Sequence, residues 1–282
     1  MLRLNRCLYL LFLVLLAVVS APSSVHAQAR QKALLVGGGT RPPEAMKYLK
    51  SWSVGKPHSE NVLIVTWATS MPDETFSAAS QDLKAAGFTQ TQEAVRFTTP
   101  LGKNARQTFL AQLSQASTVF FSGGDQNEFM KAAKSLGVVG DLQKAYQEGT
   151  AVAGTSAGTA VMAQEMFTGD EDITKISRST TPEEMVSGVG FFDFLIDQHF
   201  VKRMRWARLF SALLGRPEKN GLGVDESTAV ALETEPSGEV RARVFGEGTV
   251  ISVSPEASSL KVSFYQAGES FTVPHFQNSN PK

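Results

Sequence analysis

The sequence contains few of the residues that cross-link a protein or bind metal. Cysteine occurs once in 282 residues, at Cys7, and histidine occurs four times. One cysteine cannot form an intramolecular disulfide, and neither an H-E-x-x-H motif nor a zinc-type cysteine cluster is present. We therefore expect no metal and no cofactor. Stability must come from an apolar core, for which 42% hydrophobic residues are sufficient.

An excess of charge of either sign is also lacking. Lysine and arginine together number 27, and so do aspartate and glutamate. General attraction to nucleic acid requires an excess of basic residues, which this balance does not provide. We therefore expect no nucleic-acid partner.

The N-terminus has the layout of a secretory signal peptide. Arg3 and Arg6 precede the apolar run LYLLFLVLLAVV, and a stretch of small residues follows it. The run is shorter than the roughly 20 residues of a membrane-spanning helix, and VHA at 25–27 fits the small-x-small cleavage rule. We predict a signal peptide over 1–27 and one mature domain over 28–282. The protein would be secreted or periplasmic without stable membrane association; a retained membrane anchor is the alternative.

The mature sequence alternates between short apolar runs and amphipathic stretches. The runs ALLVGGGT, NVLIVTWA and STVFFSGGD are typical of strands, and PEAMKYLKSW, ETFSAASQDLKAAGF and QNEFMKAAKSLG are typical of helices. This alternation predicts an α/β fold with a mostly parallel central sheet flanked by helices. Beyond Gly221, alternating segments such as STAVALET and EVRARVFG predict a β-rich C-terminal extension. Three predicted strands end in glycines, and their ends should face one cleft.

The G-x-S-x-G sequence at 154–158 lies between the strand AVA and the helix start TAVMAQEM. A serine on such a sharp strand-to-helix turn has its hydroxyl exposed above the sheet, close to a helix N-terminus. Glycines on both sides accommodate the strained backbone. We predict that Ser156 is a nucleophile; a serine that only caps the following helix is the alternative.

The histidines leave one candidate for the base that a serine nucleophile needs. His26 leaves with the signal peptide, His58 lies in the polar loop KPHSE, and His275 lies in the C-terminal tail. His199 remains, at the end of the apolar run GFFDFLIDQHF. Elimination therefore predicts His199 as the general base, with an ordinary core or surface histidine as the alternative.

A third group, normally a carboxylate, should orient the imidazole and offset its charge. Asp170, Glu171 and Asp172 form an acidic cluster beyond the helix that begins after the serine, and any one of them could reach His199. Glu171 is our choice among the three, with a solvated loop as the alternative. Asp197 is closer in sequence, but side chains two apart on a strand share a face at about 7 Å, so a substrate contact is at least as plausible.

Backbone amides that could form an oxyanion hole are expected on two loops. The amide of Ala157, directly after the nucleophile, is a natural donor of a hydrogen bond to a developing oxyanion. The loop at 123–125 could supply a second donor, and Gly124 is our choice because glycine allows a close approach.

Positive charge is concentrated just after the proposed base. Arg203, Arg205 and Arg208 follow His199 within nine residues, together with Lys202. Because the guanidinium fork matches carboxylates geometrically, these arginines suggest a carboxylate-bearing substrate. An ordinary solvated helix face is the alternative.

Several motifs together resemble one family. LLVGGG, FFSGGDQ, GTSAG, DQHF followed by R-x-R-x-x-R, and GLGVDEST are similar to the cyanophycinase branch of the serine peptidases related to aspartyl dipeptidase E, peptidase family S51. The resemblance spans nearly the whole mature chain to about residue 232. The stretch that begins with DQHF is far more specific than GTSAG alone.

The resemblance implies an α/β fold like that of the flavodoxin-like class I glutamine amidotransferases, with Ser156 as nucleophile and His199 as base. It implies a peptide substrate, since similar enzymes release β-Asp-Arg dipeptides from cyanophycin, a polyaspartate that carries arginine on its side carboxylates. It also implies a homodimer, which nothing in the residues independently requires. The residues that it implies as substrate contacts are Gln126, Asp197, Gln198, Arg203, Arg205 and Arg208.

Two other classes of protein stay open at this point. An α/β-hydrolase esterase would share the G-x-S-x-G sequence and would take its acid and base from late in the chain, for example Asp225 and His275. A non-catalytic protein of the same fold could use the arginines to bind an anionic ligand. The sequence favours a secreted serine-type exopeptidase over both.

Overall fold

The computed structural model describes residues 30–169, 176 and 185–273. The predicted signal peptide lies outside these residues, and the single mature domain over 28–282 stays a prediction. The strands of the described part are β1 (Lys32–Val36), β2 (Asn61–Val65), β3 (Gln90–Glu93), β4 (Thr118–Phe121), β5 (Ala151–Thr155), β6 (Glu165–Phe167), β7 (Met185–Ser187), β8 (Leu195–Gln198), β9 (Gly221–Val224), β10 (Thr228–Thr234), β11 (Val240–Gly246), β12 (Val250–Glu256), β13 (Ser259–Tyr265) and β14 (Ser270–Val273).

Helices follow most of the strands in the first half of the chain. They are α1 (Pro43–Ser51), α2 (Pro72–Ala85), α3 (Ala105–Ser114), α4 (Gln126–Leu136), α5 (Val139–Gln147), α6 (Ala157–Ala160) and α7 (Trp206–Leu214). Within the described ranges, none of these helices is both long enough and apolar enough to cross a bilayer.

The main sheet has eight strands in the order β14-β11-β10-β1-β5-β4-β2-β3. The five strands from β1 to β3 in that order pair in parallel, whereas β10, β11 and β14 add antiparallel pairings at the other side. The predicted α/β fold, with a mostly parallel sheet and a β-rich C-terminal extension, is confirmed.

The central strand β1 has apolar residues at successive positions because both of its faces are covered. Ala33 and Leu35 pack into the core on the side of α3, α4 and α5, while Leu34 and Val36 pack on the side of α1 and α2. All four side chains are fully buried. A parallel strand covered by helices on both faces therefore needs apolar residues at successive positions.

A second sheet, in the order β13-β12-β9-β8, carries the proposed base. The helix α7 covers it, with Leu209 and Leu213 packed against Ile251 and Val253 of β12. As the sequence predicts, β8 ends one residue before His199. The N–H of His199 donates to the carbonyl of Gly37, which follows β1, so the end of this second sheet meets the carboxyl edge of the main sheet.

Three adjacent strands of the main sheet, β1, β5 and β4, end at that edge. Val36 of β1 lies opposite Thr155 of β5, and Phe121 of β4 lies opposite Gly154. The loops that follow these strands are thus neighbours, in agreement with the prediction that three strand ends face one cleft.

Candidate active site

Ser156 lies on a sharp turn between β5 and α6. Its backbone has φ +54° and ψ −119°, a conformation that is uncommon for a residue other than glycine. Its N–H donates a hydrogen bond of 3.0 Å to the carbonyl of Val36. A Cβ at Gly154 would lie 2.5 Å from the carbonyl carbon of Gly158, and one at Gly158 would lie 2.6 Å from that of Phe121. The glycines of the motif are therefore required by close backbone contacts.

The side chain of Thr159 fixes this turn to the main sheet. Its hydroxyl is buried and lies 2.7 Å from the carbonyl oxygen of Val36 and 2.8 Å from that of Gly154. The same Val36 carbonyl accepts the N–H of Ser156, so one buried acceptor holds both residues.

The serine hydroxyl, a histidine and a carboxylate form one hydrogen-bonded line. The Oγ of Ser156 lies 2.7 Å from the Nε2 of His199, and the Nδ1 of His199 lies 2.6 Å from the Oε1 of Glu226. An ionised carboxylate can only accept, so in neutral His199 the proton belongs on Nδ1 and Nε2 is the acceptor. This tautomer leaves Nε2 ready to take the proton of Ser156.

The structure corrects the choice of the third member. Glu171 was predicted to bond Nδ1 of His199, but Glu226 occupies that position. Asp170, Glu171 and Asp172 lie outside the described residues. Glu226 lies between β9 and β10, in the motif GLGVDEST. The acidic pair Asp225 and Glu226, which follows the short buried strand β9, was the signal in the sequence that could have found it.

A glycine triplet after β1 makes room for the imidazole. His199 has φ +51°, and its N–H donates to the carbonyl of Gly37 at 2.8 Å. A Cβ at Gly38 would lie 2.6 Å from the Nε2 of His199, so no side chain can stand there. The carbonyl of Gly38 also accepts the N–H of Ser227 at 2.9 Å, which ties down the loop that carries Glu226.

The surroundings of His199 keep its imidazole neutral. Burial lowers its pKa, and the charges of Arg203 and Arg205 lower it further, while the hydrogen bond to Glu226 acts in the opposite direction. The pKa of Glu226 is lowered, first by its hydrogen bond to His199. A neutral base beside an ionised carboxylate is the state that proton abstraction from a serine requires.

Four of the six residues implied as substrate contacts form a buried cluster. Asp197 is fully buried and accepts hydrogen bonds from Arg208, at 2.8 Å from Nε to Oδ2 and also from Nη2 to Oδ1. Arg205 donates from Nη1 to the backbone carbonyl of Gln198 at 2.7 Å and to its Oε1 at 2.5 Å. The expectation of direct substrate contact by Asp197 and Arg208 is therefore corrected, because they are bonded to each other beneath the surface.

This cluster fixes the strand that directly precedes the base. Asp197 and Gln198 are the last two residues of β8, and His199 follows them. Removing one partner of a buried ion pair leaves an uncompensated charge and typically costs about 3–5 kcal/mol. The cluster thus holds the end of β8 in place.

The other two implied contacts differ in exposure. Arg203 is exposed, so contact with a substrate stays a prediction for it. Gln126 is buried, and its Nε2 donates to the carbonyl of Phe167 at 3.1 Å, which links α4 to β6.

The loop that follows β4 borders the nucleophile. A Cβ at Gly123 would lie 3.5 Å from the Cβ of Ser156. Gly124 has φ +137°, and a Cβ there would lie 2.5 Å from the carbonyl carbon of Ala68. The amides of Gly124 and of Ala157, the first residue of α6, stay predictions as oxyanion donors.

Comparison with known proteins finds one matching family and several similar sequences. The model of peptidase family S51 matches residues 33–238. The cyanophycinase of Synechococcus elongatus is 35% identical over 152 residues, which cover 53% of this chain and 45% of that protein. The cyanophycinase of Trichormus variabilis is 33% identical over 166 residues, covering 58% and 54%. The chain thus spans about half the length of the curated relatives it matches.

Solved structures share the fold. A peptidase from an acI-B1 Actinobacterium superposes with a TM-score of 0.65 at 19% identity, over 87% of this chain and 98% of that chain. A putative peptidase E protein from Listeria monocytogenes EGD-e gives a TM-score of 0.50 at 13% identity, over 76% and 98%. At these identities the likeness concerns the fold alone.

The identity of the third member can be tested with two matched substitutions. Glu226→Gln keeps the shape but removes the charge that orients and stabilises the imidazole. We expect it to slow labelling of Ser156 by a fluorophosphonate probe roughly 100-fold or more. Glu171→Gln should label at the wild-type rate. If Glu171→Gln slows labelling of Ser156 and Glu226→Gln labels at the wild-type rate, Glu171 is the third member, as the sequence predicted.

The charge of Arg203 gives a prediction for pH dependence. Arg203→Gln removes a positive charge that lowers the pKa of His199, so that pKa should rise. The acid limb of the labelling rate should then move to higher pH, since protonated His199 cannot act as a base. Arg241→Gln, at an arginine whose side chain is 67% exposed on β11, is the control and should leave the profile in place. An unchanged profile in Arg203→Gln would contradict this account of the pKa.

Proposed function

This chain belongs to peptidase family S51, and we propose that it is a secreted serine-type exopeptidase that hydrolyses cyanophycin, or a related aspartate-containing peptide. The observation that carries the proposal is the line from Ser156 through His199 to Glu226, with distances of 2.7 and 2.6 Å. Its curated relatives are named cyanophycinases, and the motifs that resemble that branch surround the same residues.

The geometry supports an acyl-enzyme route. His199 Nε2 takes the proton of Ser156 while Oγ attacks the scissile carbonyl carbon, and Glu226 stabilises the imidazolium that forms. The amides of Ala157 and Gly124 are proposed to bind the oxyanion. His199 then gives its proton to the leaving amine, and the ester on Ser156 remains.

Deacylation repeats these steps with water as the nucleophile. His199 takes a proton from water, hydroxide adds to the ester carbonyl, and the Ser156 oxygen leaves with the proton returned by His199. On cyanophycin, the products released in this way would be β-Asp-Arg dipeptides.

Two further parts of the proposal come from the sequence. Export rests on the apolar N-terminal run and the small-x-small sequence at 25–27. A homodimer rests on the family resemblance. Both are open to direct measurement, by N-terminal sequencing of the exported protein and by light scattering.

The proposal can be tested with the polymer itself. Purified protein incubated with cyanophycin should release β-Asp-Arg, identified by mass spectrometry. Ser156→Ala and His199→Ala should lower the rate by roughly 10³-fold or more, because the two groups act as a unit.

The control variant for this experiment is His275→Ala, which should cleave cyanophycin at the wild-type rate. If His275→Ala is inactive while His199→Ala is active, or if only simple esters are turned over, the esterase alternative replaces the peptidase. If wild-type protein releases no dipeptide, cyanophycin is not the substrate.

A further inference from the structure

A cavity of about 770 Å³ lies at the carboxyl ends of β2, β3 and β4. Its wall includes Trp67, Arg96, Phe97, Gly124, Asp125 and Glu128. Gly124 directly follows Gly123, the residue that borders Ser156. The cavity and the nucleophile therefore share the loop that follows β4, on the side where open α/β sheets bind their ligands.

The charges around this cavity favour a cation. Among the described residues that line it, Arg96 is the basic one, and it is bonded to two acids, to Glu93 at 3.0 Å from Nε to Oε1 and also to Asp73. The charge of Arg96 is therefore already offset. The carboxylates of Asp125 and Glu128 remain as an excess of negative charge in the wall.

These two carboxylates have capacity for a ligand. Asp125 caps α4 by accepting the N–H groups of Asn127 and Glu128, and both bonds use Oδ1. Its Oδ2 makes no bond to the described residues. Glu128 pairs with Lys131 at 3.1 Å, but both side chains are more than half exposed, and such pairs are weak.

Aromatic side chains complete the wall. Trp67 is almost fully buried, and its Nε1 donates to the carbonyl of Val95 at 2.8 Å, which fixes the indole ring. Phe97 lines the same cavity and is only half-buried, so of the two rings it is the one that a ligand can reach. A planar guanidinium is the cation that combines stacking on aromatic faces with two-pronged hydrogen bonds to carboxylates.

The buried cluster at β8 does not provide such a subsite. On the proposed function, the substrate carries arginine side chains, and the family resemblance implies Asp197 as a substrate contact. That carboxylate is fully buried and already bonded to Arg208. Asp197 is therefore not available to a substrate guanidinium, whereas Asp125 and Glu128 are exposed.

We infer that the cavity between Trp67, Phe97 and the start of α4 is the subsite for an arginine side chain of the substrate, with Asp125 and Glu128 as its acceptors. This inference rests on the proposed function and adds to it the residues that select the charged side chain. A neutral side chain of the same shape would lack the charge–charge attraction to both acids that a guanidinium provides.

The test compares two substrates on one enzyme. The first is a synthetic oligomer of β-Asp-Arg units, and the second replaces each arginine by citrulline, its neutral isostere. Wild-type protein should prefer the arginine oligomer in kcat/KM. Glu128→Lys should lower that preference roughly 10-fold, mainly through KM, because like charges repel. A cooperative thermal unfolding transition close to that of wild type reports that the variant is folded.

Glu44→Lys is the matched control. Glu44 and Glu128 are both exposed acids in the first turn of a helix, and Glu44 lines a different cavity, of about 530 Å³, beside Ser227. Its preference for arginine should equal that of wild type. Asp125→Asn, which keeps an oxygen for the helix cap, is a second variant and should also lower the preference.

The remaining outcomes separate the two proposals. Equal preference in wild type, Glu128→Lys and Asp125→Asn, with both oligomers cleaved, overturns the subsite and leaves the peptidase in place. A fall in Glu44→Lys that equals or exceeds the fall in Glu128→Lys also overturns it. If wild-type protein cleaves neither the arginine oligomer nor the citrulline oligomer, the proposed function is overturned, and this inference with it.

Discussion

The hydrogen bond between the hydroxyl of Ser156 and the imidazole of His199 is the contact on which the site depends. It joins two sheets, since Ser156 follows β5 of the main sheet and His199 follows β8 of the second. Glu226 lies on the connection from β9 to β10, where the chain crosses from the second sheet back to the main one. The three groups therefore meet only when both sheets are docked.

Glycines after β1 make that docking possible. A Cβ at Gly37 would lie 2.7 Å from the carbonyl carbon of Asp225, and one at Gly38 would overlap the ring of His199. Backbone from the main sheet thus touches both loops that carry the base and its acid. The glycine triplet at 37–39 therefore serves as a close-packed junction between the two sheets.

The sequence predicted the parts of the site that depend on local pattern. Ser156 follows from the strand, turn and helix around it, and His199 follows from the scarcity of histidine. Glu226 does not, because it reaches the imidazole through the packing of two sheets, 27 residues further along the chain. The cluster of Asp197 and Arg208 was missed for a similar reason, since a row of arginines does not indicate which carboxylate each one will bond. The α/β fold was readable because parallel strands and helices leave distinct periodicities.

The most direct measurement of this arrangement is fluorophosphonate labelling, mapped to Ser156 by peptide mass spectrometry, in two glycine variants. Gly38→Ala places a methyl group where the imidazole lies, whereas Gly87→Ala puts the same strain on a similar backbone, φ +105° against +116°, with Lys50 Cγ at 3.8 Å as its nearest neighbour. The account predicts wild-type labelling of Ser156 in Gly87→Ala and severe loss in Gly38→Ala. Labelling of Gly38→Ala at the wild-type rate would contradict it.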